Sequence, residues 1–135
     1  MVIKKGATAF NTAADLKDQI VGTQAGSSGE EAANRIEGTK EIKLYKTYPE
    51  AFTDLQIGRI PVVICDRITA SHYLSKRADT FEIVGDQLSN EPLAIGIRKS
   101  DPELKEAIDN VLNEMKADGT LTEISMKWFN RDITK

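Results

Sequence analysis

The stretch QIVGTQAGSSGEEA, residues 19–32, predicts a strand that passes through a turn of small residues into a helix. Ser27 and Ser28 stand where a helix N-cap belongs, and Glu30 and Glu31 follow at the spacing of a capping box. A helix that begins after a parallel strand also directs free backbone N–H groups and the positive end of its dipole towards a nearby carboxylate. The stretch therefore predicts a strand–helix unit whose turn can receive a small anion.

The same alternation of strand and helix signals continues along the chain. The predicted strands are VIKK at 2–5, QIVGT at 19–23, EIKLYK at 41–46, PVVICD at 61–66, TFEIVG at 80–85 and EPLAIGIRK at 91–99. The predicted helices lie at 13–17, 28–36, 48–57, 68–76, 102–118 and 121–129, with Gly58 as the predicted end of the third and Asp101 as the predicted N-cap of the fifth. The apolar run PVVICD is typical of a strand that is buried on both faces of a parallel sheet. We therefore expect an α/β fold with a mostly parallel sheet flanked by helices, followed by C-terminal helices.

Composition limits the classes of function. The chain has 135 residues, of which 40% are hydrophobic, enough to build one buried core. A net charge of -3 leaves no broad basic surface, which argues against nucleic acid as a partner. The single cysteine, Cys65, and the single histidine, His72, exclude a disulfide framework and a multi-cysteine or histidine-rich metal site. We therefore predict no metal and no cofactor, and we expect Cys65 to be a buried, inert thiol.

The sequence also bears on export. No apolar run approaches the roughly 20 residues that span a bilayer. The first ten residues, MVIKKGATAF, lack the apolar region of a signal peptide. The chain as given therefore carries no visible export signal, and we expect it to be a piece of a longer protein.

Asp66 is the second residue that indicates a ligand site. It follows the apolar run PVVIC, and open α/β sheets bind their ligands at the carboxyl ends of such strands. It also stands at the N-cap of the helix that begins at Arg67, and the two roles are compatible. A helix start that attracts anions and a carboxylate on a neighbouring strand end together describe a receptor for a zwitterion, with one pole for each charge.

Four segments in this order resemble a known family. They are DLKDQIVGTQAGSSGEEA at 15–32, YPEAFTDLQIGRIPVVICD at 48–66, EPLAIGIRKSDPELKEAIDNVL at 91–112 and MKADGTLTEISMKWF at 115–129. Together they resemble the polar amino-acid family of extracytoplasmic solute-binding proteins of ABC transporters. The resemblance implies a periplasmic-binding-protein-like type II fold, in which two α/β lobes joined by two crossing strands close on an amino acid.

The resemblance also implies roles for individual residues. The residue matching Ser28, with nearby backbone amides, holds the α-carboxylate of the ligand, and the aspartate matching Asp66 receives its α-ammonium group. Residues matching Gln24 and Ala25 line the side-chain pocket. The complete predicted ligand-binding set is Gln24, Ala25, Gly26, Ser27, Ser28 and Asp66. No catalytic residue and no metal ligand is predicted.

The chain resembles only part of the family's architecture. In the family a first lobe, with a ligand-clamping arginine, precedes the segment that resembles VIKKG. We therefore expect residues 1–100 to form lobe two with its hinge strands, and residues 101–135 to form the C-terminal helical return segment. In the family this segment packs on lobe one, so its apolar residues lack part of their usual partner here. We expect a homodimer, formed by packing of these helices or by their exchange between copies. Separately, we expect Trp128 and Phe129, at the end of an amphipathic helix, to pack in the chain's own core instead of forming a stacking platform.

Three classes of function follow from the resemblance. The leading one is capture of a polar amino acid, outside the cytoplasm, for import by an ABC permease. An enzyme resembling periplasmic cyclohexadienyl or arogenate dehydratases is the second, for which Asp66 and Glu91 are the only evident acid and base. A ligand-binding domain of a sensor or receptor with the same fold is the third.

Overall fold

A computed structural model of the chain describes residues 1–90, 94–129 and 132–134. It contains two compact units, Met1–Asn90 and Glu91–Lys135. The strands are β1 Val2–Lys4, β2 Ile20–Gln24, β3 Glu41–Tyr45, β4 Val62–Val63 and β5 Phe81–Ile83. The α-helices are α1 Ser28–Asn34, α2 Tyr48–Gln56, α3 Arg67–Lys76, α4 Pro102–Ala117 and α5 Thr120–Phe129, and one 3-10 turn spans Ala13–Leu16. The predicted division at residue 100 follows the family's lobes and stays a prediction.

The first unit contains a five-stranded sheet in the order β3-β2-β4-β1-β5. Strand β2 pairs in parallel with β3 and β4, and β1 pairs antiparallel with β4 and β5. Four strands therefore run in one direction, and β1 lies between β4 and β5 in the opposite direction. The predicted α/β class with a mostly parallel sheet is confirmed.

The centre of the sheet is buried on both of its faces. Neighbouring residues of a strand point to opposite faces, and Val62 and Val63 accordingly belong to different apolar clusters. The cluster around Val63 includes Phe52 and Leu55 of α2. The cluster around Val62 includes Ala33 of α1. The predicted strand at 61–66 is therefore confirmed at Val62 and Val63, which form β4 and are covered on both sides, and residues 64–66 lie outside the strand.

The second unit consists mainly of α4 and α5, which pack against each other. Ser125 is the buried residue of α5, and its hydroxyl accepts a hydrogen bond from the backbone N–H of Ile133 at 2.9 Å. Helix α4 is described in full and has no buried residue. The prediction that Trp128 packs in a core is wrong, because 64% of this residue is exposed.

Two further predictions for the second unit need correction. The described part of the predicted strand at 91–99, residues 94–99, is not a strand, and residues 91–93 lie outside the described part. An extended apolar segment becomes a strand only where another strand pairs with its backbone groups, and among the described residues none pairs with 94–99. Asp101 does stand at the N-cap of α4, but its carboxylate accepts a hydrogen bond from Arg98 at 2.8 Å instead of capping the helix.

None of the described helices combines the length and the apolar character that a membrane crossing requires.

Candidate functional site

The turn between β2 and α1 is organised by Ser27. Its hydroxyl donates to the carbonyl oxygen of Gln24 at 2.7 Å and accepts from the backbone N–H of Glu30 at 3.2 Å. The Glu30 carboxylate in turn accepts from the backbone N–H of Gly26 at 2.6 Å. Gly26 has a φ of 71°, in the left-handed region that favours glycine. Ser27 is therefore the N-cap of α1, as predicted, and its hydroxyl is engaged with protein groups.

Tyr48 and Thr23, which the sequence did not indicate as site residues, contact this turn. The Tyr48 hydroxyl of α2 donates to the Ser27 hydroxyl at 3.1 Å, and the Thr23 hydroxyl lies 3.5 Å from it. Thr23 is fully buried and Tyr48 is 8% exposed. Burial raises the pKa of the Tyr48 phenol above its ordinary value, so the phenol remains a hydrogen-bond donor at neutral pH. The start of α1 is thus fixed by hydroxyl groups from two other elements.

Gly29 allows α1 to approach the ends of β2 and β4 closely. A Cβ atom at this position would lie 2.6 Å from the Thr23 hydroxyl oxygen, 2.7 Å from the Ile64 carbonyl oxygen and 2.7 Å from the Tyr48 hydroxyl oxygen. These distances are too short for any side chain. The site therefore requires glycine here because of packing, and no helix-propensity argument predicts it.

Ser28 differs from Ser27 in its surroundings. It is the first residue of α1 and is partly exposed, and its hydroxyl has no hydrogen-bond partner among the residues that the structure describes. Ala25 and Gly26 are exposed in the turn, and Gln24 is partly buried at the end of β2. The backbone N–H of Ala25 donates to the carbonyl oxygen of Tyr45 at 2.9 Å and is thereby already used. Of the two serines, Ser28 is the one whose hydroxyl is open to a ligand.

Asp66 is the N-cap of α3, as predicted. One carboxylate oxygen accepts from the backbone N–H of Thr69 at 2.8 Å, and the other accepts from the Thr69 hydroxyl at 2.6 Å. The side chain is partly exposed. The neighbouring Cys65 packs against the apolar core, and burial raises the pKa of its thiol to about 12. This thiol stays protonated at neutral pH, in line with the prediction of an inert cysteine.

The structure brings the predicted residues to one edge of the sheet. Strands β2 and β4 are parallel neighbours, with Val21 opposite Val62, so the segments that follow them emerge side by side. The residues after β2 and the carboxylate after β4 therefore lie at the same edge of the sheet.

The same edge offers little for other chemistry. Within residues 1–90, 94–129 and 132–134 there is no cluster of three or more histidine, cysteine, aspartate or glutamate residues with the geometry of a metal site. Glu91, the predicted partner of Asp66 in a dehydratase, lies outside the described residues. What the described geometry offers is a pair of poles: a free hydroxyl at one helix start and a carboxylate at the other.

The chain is similar to proteins that bind amino acids. Residues 1–131 match the sequence profile of the family described as bacterial extracellular solute-binding proteins, family 3. The L-cystine-binding protein TcyJ of Escherichia coli strain K12 is 33% identical over 135 residues, which are 99% of this chain and 51% of that protein. The chain therefore spans about half the length of the curated relatives it matches.

Solved structures show the same relationship. An ancestral arginine-binding protein bound to glutamine has 37% identity and a TM-score of 0.77, covering 95% of this chain and 57% of that one. The crystal structure of domain 2 from TmArgBP has 28% identity and a TM-score of 0.60. That comparison covers 66% of this chain and 96% of that one, so a solved structure of one domain also matches much of this chain.

Proposed function

The chain belongs to family 3 of the bacterial extracellular solute-binding proteins, and we propose that it forms one half of an amino-acid-binding site in an ABC importer. The observation that carries this proposal is a shared location. The Ser28 hydroxyl, which has no partner among the described residues, and the Asp66 carboxylate both lie at one edge of the sheet. Free amino acids are zwitterions, and these groups have the chemistry to hold the two charged ends.

We assign the roles residue by residue. Ser28 donates to the α-carboxylate, and Asp66 accepts from the α-ammonium group. Gln24 and Ala25 border the space for the ligand's side chain, while Gly26 and Ser27 shape the turn. No cofactor or metal takes part, and the proposed activity is binding without catalysis, since the relatives described above are named as binding proteins. The longer protein would act outside the cytoplasm and deliver its ligand to a membrane permease.

Titration of the purified chain with L-arginine, L-glutamine and L-cystine tests the proposal. We expect a dissociation constant of about 1 mM or weaker, because one lobe contacts only part of the ligand and cannot exclude water. Asp66→Asn should weaken binding about tenfold or more, since hydrogen bonds to charged groups contribute about 1.5–3 kcal/mol. Ser28→Ala should weaken it by a smaller factor. Asp79→Asn, which removes the same charge at an exposed position, serves as the control.

Two results would contradict the proposal. One is the absence of binding by L-arginine and L-glutamine at concentrations of tens of millimolar and by L-cystine up to its limit of solubility. The other is binding that neither Asp66→Asn nor Ser28→Ala changes, because the site would then lie elsewhere.

We further propose that isolated copies of the chain form a homodimer through α4 and α5. Several apolar residues of these helices are exposed: Leu104, Val111, Ile124, Met126 and Trp128. Apolar surface in water costs about 25 cal/mol per Å², so covering these side chains with a second copy, by packing or by exchange of the helices, is favourable.

Light scattering measures this association directly. The expected mass at micromolar concentration is twice that of the chain. Leu112→Ala combined with Trp128→Ala should lower the fraction of dimer or cause aggregation, and Lys105→Ala on the polar side of α4 is the matched control. A soluble, folded monomer at high concentration would contradict the dimer proposal and leave the amino-acid site unaffected.

A further inference from the structure

Thr69 holds both oxygens of the Asp66 carboxylate. We propose that Thr69 is a positioning residue, which orients Asp66 towards the ammonium group of a bound amino acid; this inference rests on the proposed function. The resemblance to the family assigns no role to Thr69. Thr69 donates two hydrogen bonds to the Asp66 carboxylate, one from its backbone N–H group and one from its side-chain hydroxyl.

The geometry exceeds what capping a helix requires. An N-cap carboxylate satisfies its helix when one oxygen accepts from a backbone N–H group. Here Oδ1 does so at 2.8 Å, and Oδ2 in addition accepts from the Thr69 hydroxyl at 2.6 Å. Two bonds to the two oxygens fix the plane of the carboxylate as well as its position. Thr69 itself is stiff, because β-branched side chains have few rotamers in a helix.

A second threonine of the chain shows the ordinary alternative. The Thr53 hydroxyl in α2 donates to the carbonyl oxygen of Pro49, one turn earlier, at 2.8 Å. This is the usual partner of a threonine hydroxyl within a helix. The Thr69 hydroxyl bonds to the Asp66 side chain instead, so its hydrogen bond serves the carboxylate rather than the backbone of α3.

Asp66 keeps the capacity to bind a cation. An ionised carboxylate accepts about four hydrogen bonds, and Thr69 uses two of them. Asp54 is different, because Lys43 and Arg59 already neutralise its charge. In the described part of the chain, by contrast, no ion pair between a lysine or arginine and Asp66 is formed. Asp66 is therefore held in one orientation by neutral donors while its charge remains available.

Fixing a ligand-binding side chain beforehand increases affinity, because the ordering cost is removed from the binding step. Immobilising one side chain costs an amount that corresponds to about 2- to 10-fold in a dissociation constant. Thr69→Val keeps the shape and the backbone N–H but removes the hydroxyl. We expect it to weaken binding of the amino acid by about 2- to 10-fold, and we expect Thr69→Ser to restore most of the affinity.

The experiment pairs each amino acid with its analogue that lacks the α-ammonium group, in NMR titrations of the full chain. The pairs are L-arginine with guanidinovalerate, L-glutamine with glutaramate and L-cystine with dithiodipropionate. Thr69→Val should weaken binding of the amino acid and leave binding of the analogue unchanged. In an Asp66→Asn background it should have no further effect. Thr53→Val, which removes a helical threonine hydroxyl elsewhere, is the control, and Thr69→Ala replaces Thr69→Val if the valine variant does not fold.

The outcomes separate this inference from the proposed function. If Asp66→Asn weakens amino-acid binding and Thr69→Val does not, the positioning role is wrong and the proposed function stands. Equal losses for amino acid and analogue would also overturn the role, because they would report a general disturbance of α3. If Asp66→Asn itself has no effect, the ammonium pole of the proposed function is wrong, and this inference falls with it.

Discussion

The unit Met1–Asn90 and the helices α4 and α5 differ in how completely they cover their apolar side chains. In the first unit Ile3, Val21 and Phe52 are fully buried between the sheet and its helices. In α4 no residue is buried, and in α5 Trp128 is 64% exposed. The folding stability of the chain should therefore reside in the sheet unit, whereas the helices carry apolar surface that a partner can cover.

The charged residues of the two regions show the same difference. Asp54 of α2 is buried and is bound by Lys43 at 2.9 Å, by Arg59 at 3.2 Å and by the Tyr45 hydroxyl at 2.8 Å. The ion pair between Lys105 and Asp109 in α4 is exposed. Exposed ion pairs contribute about 0–1 kcal/mol to stability. We therefore expect the ion pairs of Asp54 to stabilise the sheet unit more than the Lys105–Asp109 pair stabilises α4.

The largest effect should come from Phe52→Ala. Phe52 is fully buried and contacts the rings of Tyr73 and Phe81, with ring centroids 4.3 and 5.2 Å apart. Its truncation should lower the free energy of unfolding by about 3–5 kcal/mol, measured by urea denaturation. Trp128→Ala, at constant low protein concentration, should change it by less than about 1 kcal/mol. Similar losses for the two variants would refute the contrast between the regions.

A second comparison uses two glycines. Gly29→Ala places a methyl group within 2.7 Å of three oxygen atoms, and relief of such overpacking costs about 1–3 kcal/mol. Around Gly96 a Cβ atom would meet nothing within 4 Å, so Gly96→Ala should be close to neutral. Thermal unfolding of both variants measures the difference. An unchanged melting temperature for Gly29→Ala would mean that α1 is less tightly packed on β2 and β4 than the structure shows.

Signals within one turn of the chain were enough to predict most elements. Ser27 and Asp66 each stand at an N-cap, and Gly58 ends α2 with a φ of 78°. Such positions depend on neighbours three or four residues away, which a sequence displays directly. The Thr69 contact belongs to this class too, since a threonine three residues after an N-cap aspartate is a visible signal that the interpretation overlooked.

Contacts between distant segments could not be predicted in this way. Tyr48 and Ser27 are 21 residues apart, and only the packing of α2 beside the turn brings their hydroxyls together. The wrong strand prediction at 94–99 has the same cause. Its alternating apolar residues indicate a strand, but the sequence does not show whether a neighbouring strand is present to pair with it. The two poles of the proposed site, Ser28 and Asp66, could be proposed from local signals, whereas the contacts of Tyr48 and Thr23 with the neighbouring Ser27 could not.

The acid response of the chain tests the charge contrast. The hydrogen-bond donors around Asp54, above all Lys43, lower the pKa of its carboxyl group from the ordinary 3.8 to about 2. A carboxyl whose pKa is lower in the folded state stabilises the fold above the unfolded pKa and loses that contribution as the pH falls from 3.8 to about 2. Asp54→Asn should therefore reduce stability at pH 6, and its deficit relative to wild type should shrink through that window.

Urea unfolding of wild type and Asp54→Asn at a series of pH values provides the measurement. Asp109→Asn in α4 is the matched control, and its deficit should be small at every pH because that pair is exposed. A constant deficit for Asp54→Asn from pH 6 to pH 2 would show that the carboxylate charge does not stabilise the sheet unit.

Replacing an aspartate by glycine should have the smallest effect. The change in the free energy of unfolding should have opposite signs in the two regions. Asp18 has a φ of 61°, and its backbone N–H donates to the carbonyl oxygen of Gly38 at 2.8 Å. Glycine adopts this left-handed conformation without the strain of a Cβ atom, although it also makes the unfolded chain more flexible. Asp18→Gly should therefore raise the free energy of unfolding by less than about 1 kcal/mol.

Asp118, at the end of α4, has a φ of -86°, and its carboxylate accepts from the backbone N–H of Thr120 at 2.8 Å. Asp118→Gly removes that bond and relieves no strain, so it should lower stability slightly. Differential scanning calorimetry of the two variants decides the matter: a rise for Asp118→Gly, or a clear fall for Asp18→Gly, would show that the backbone geometry of these two positions does not govern their stability.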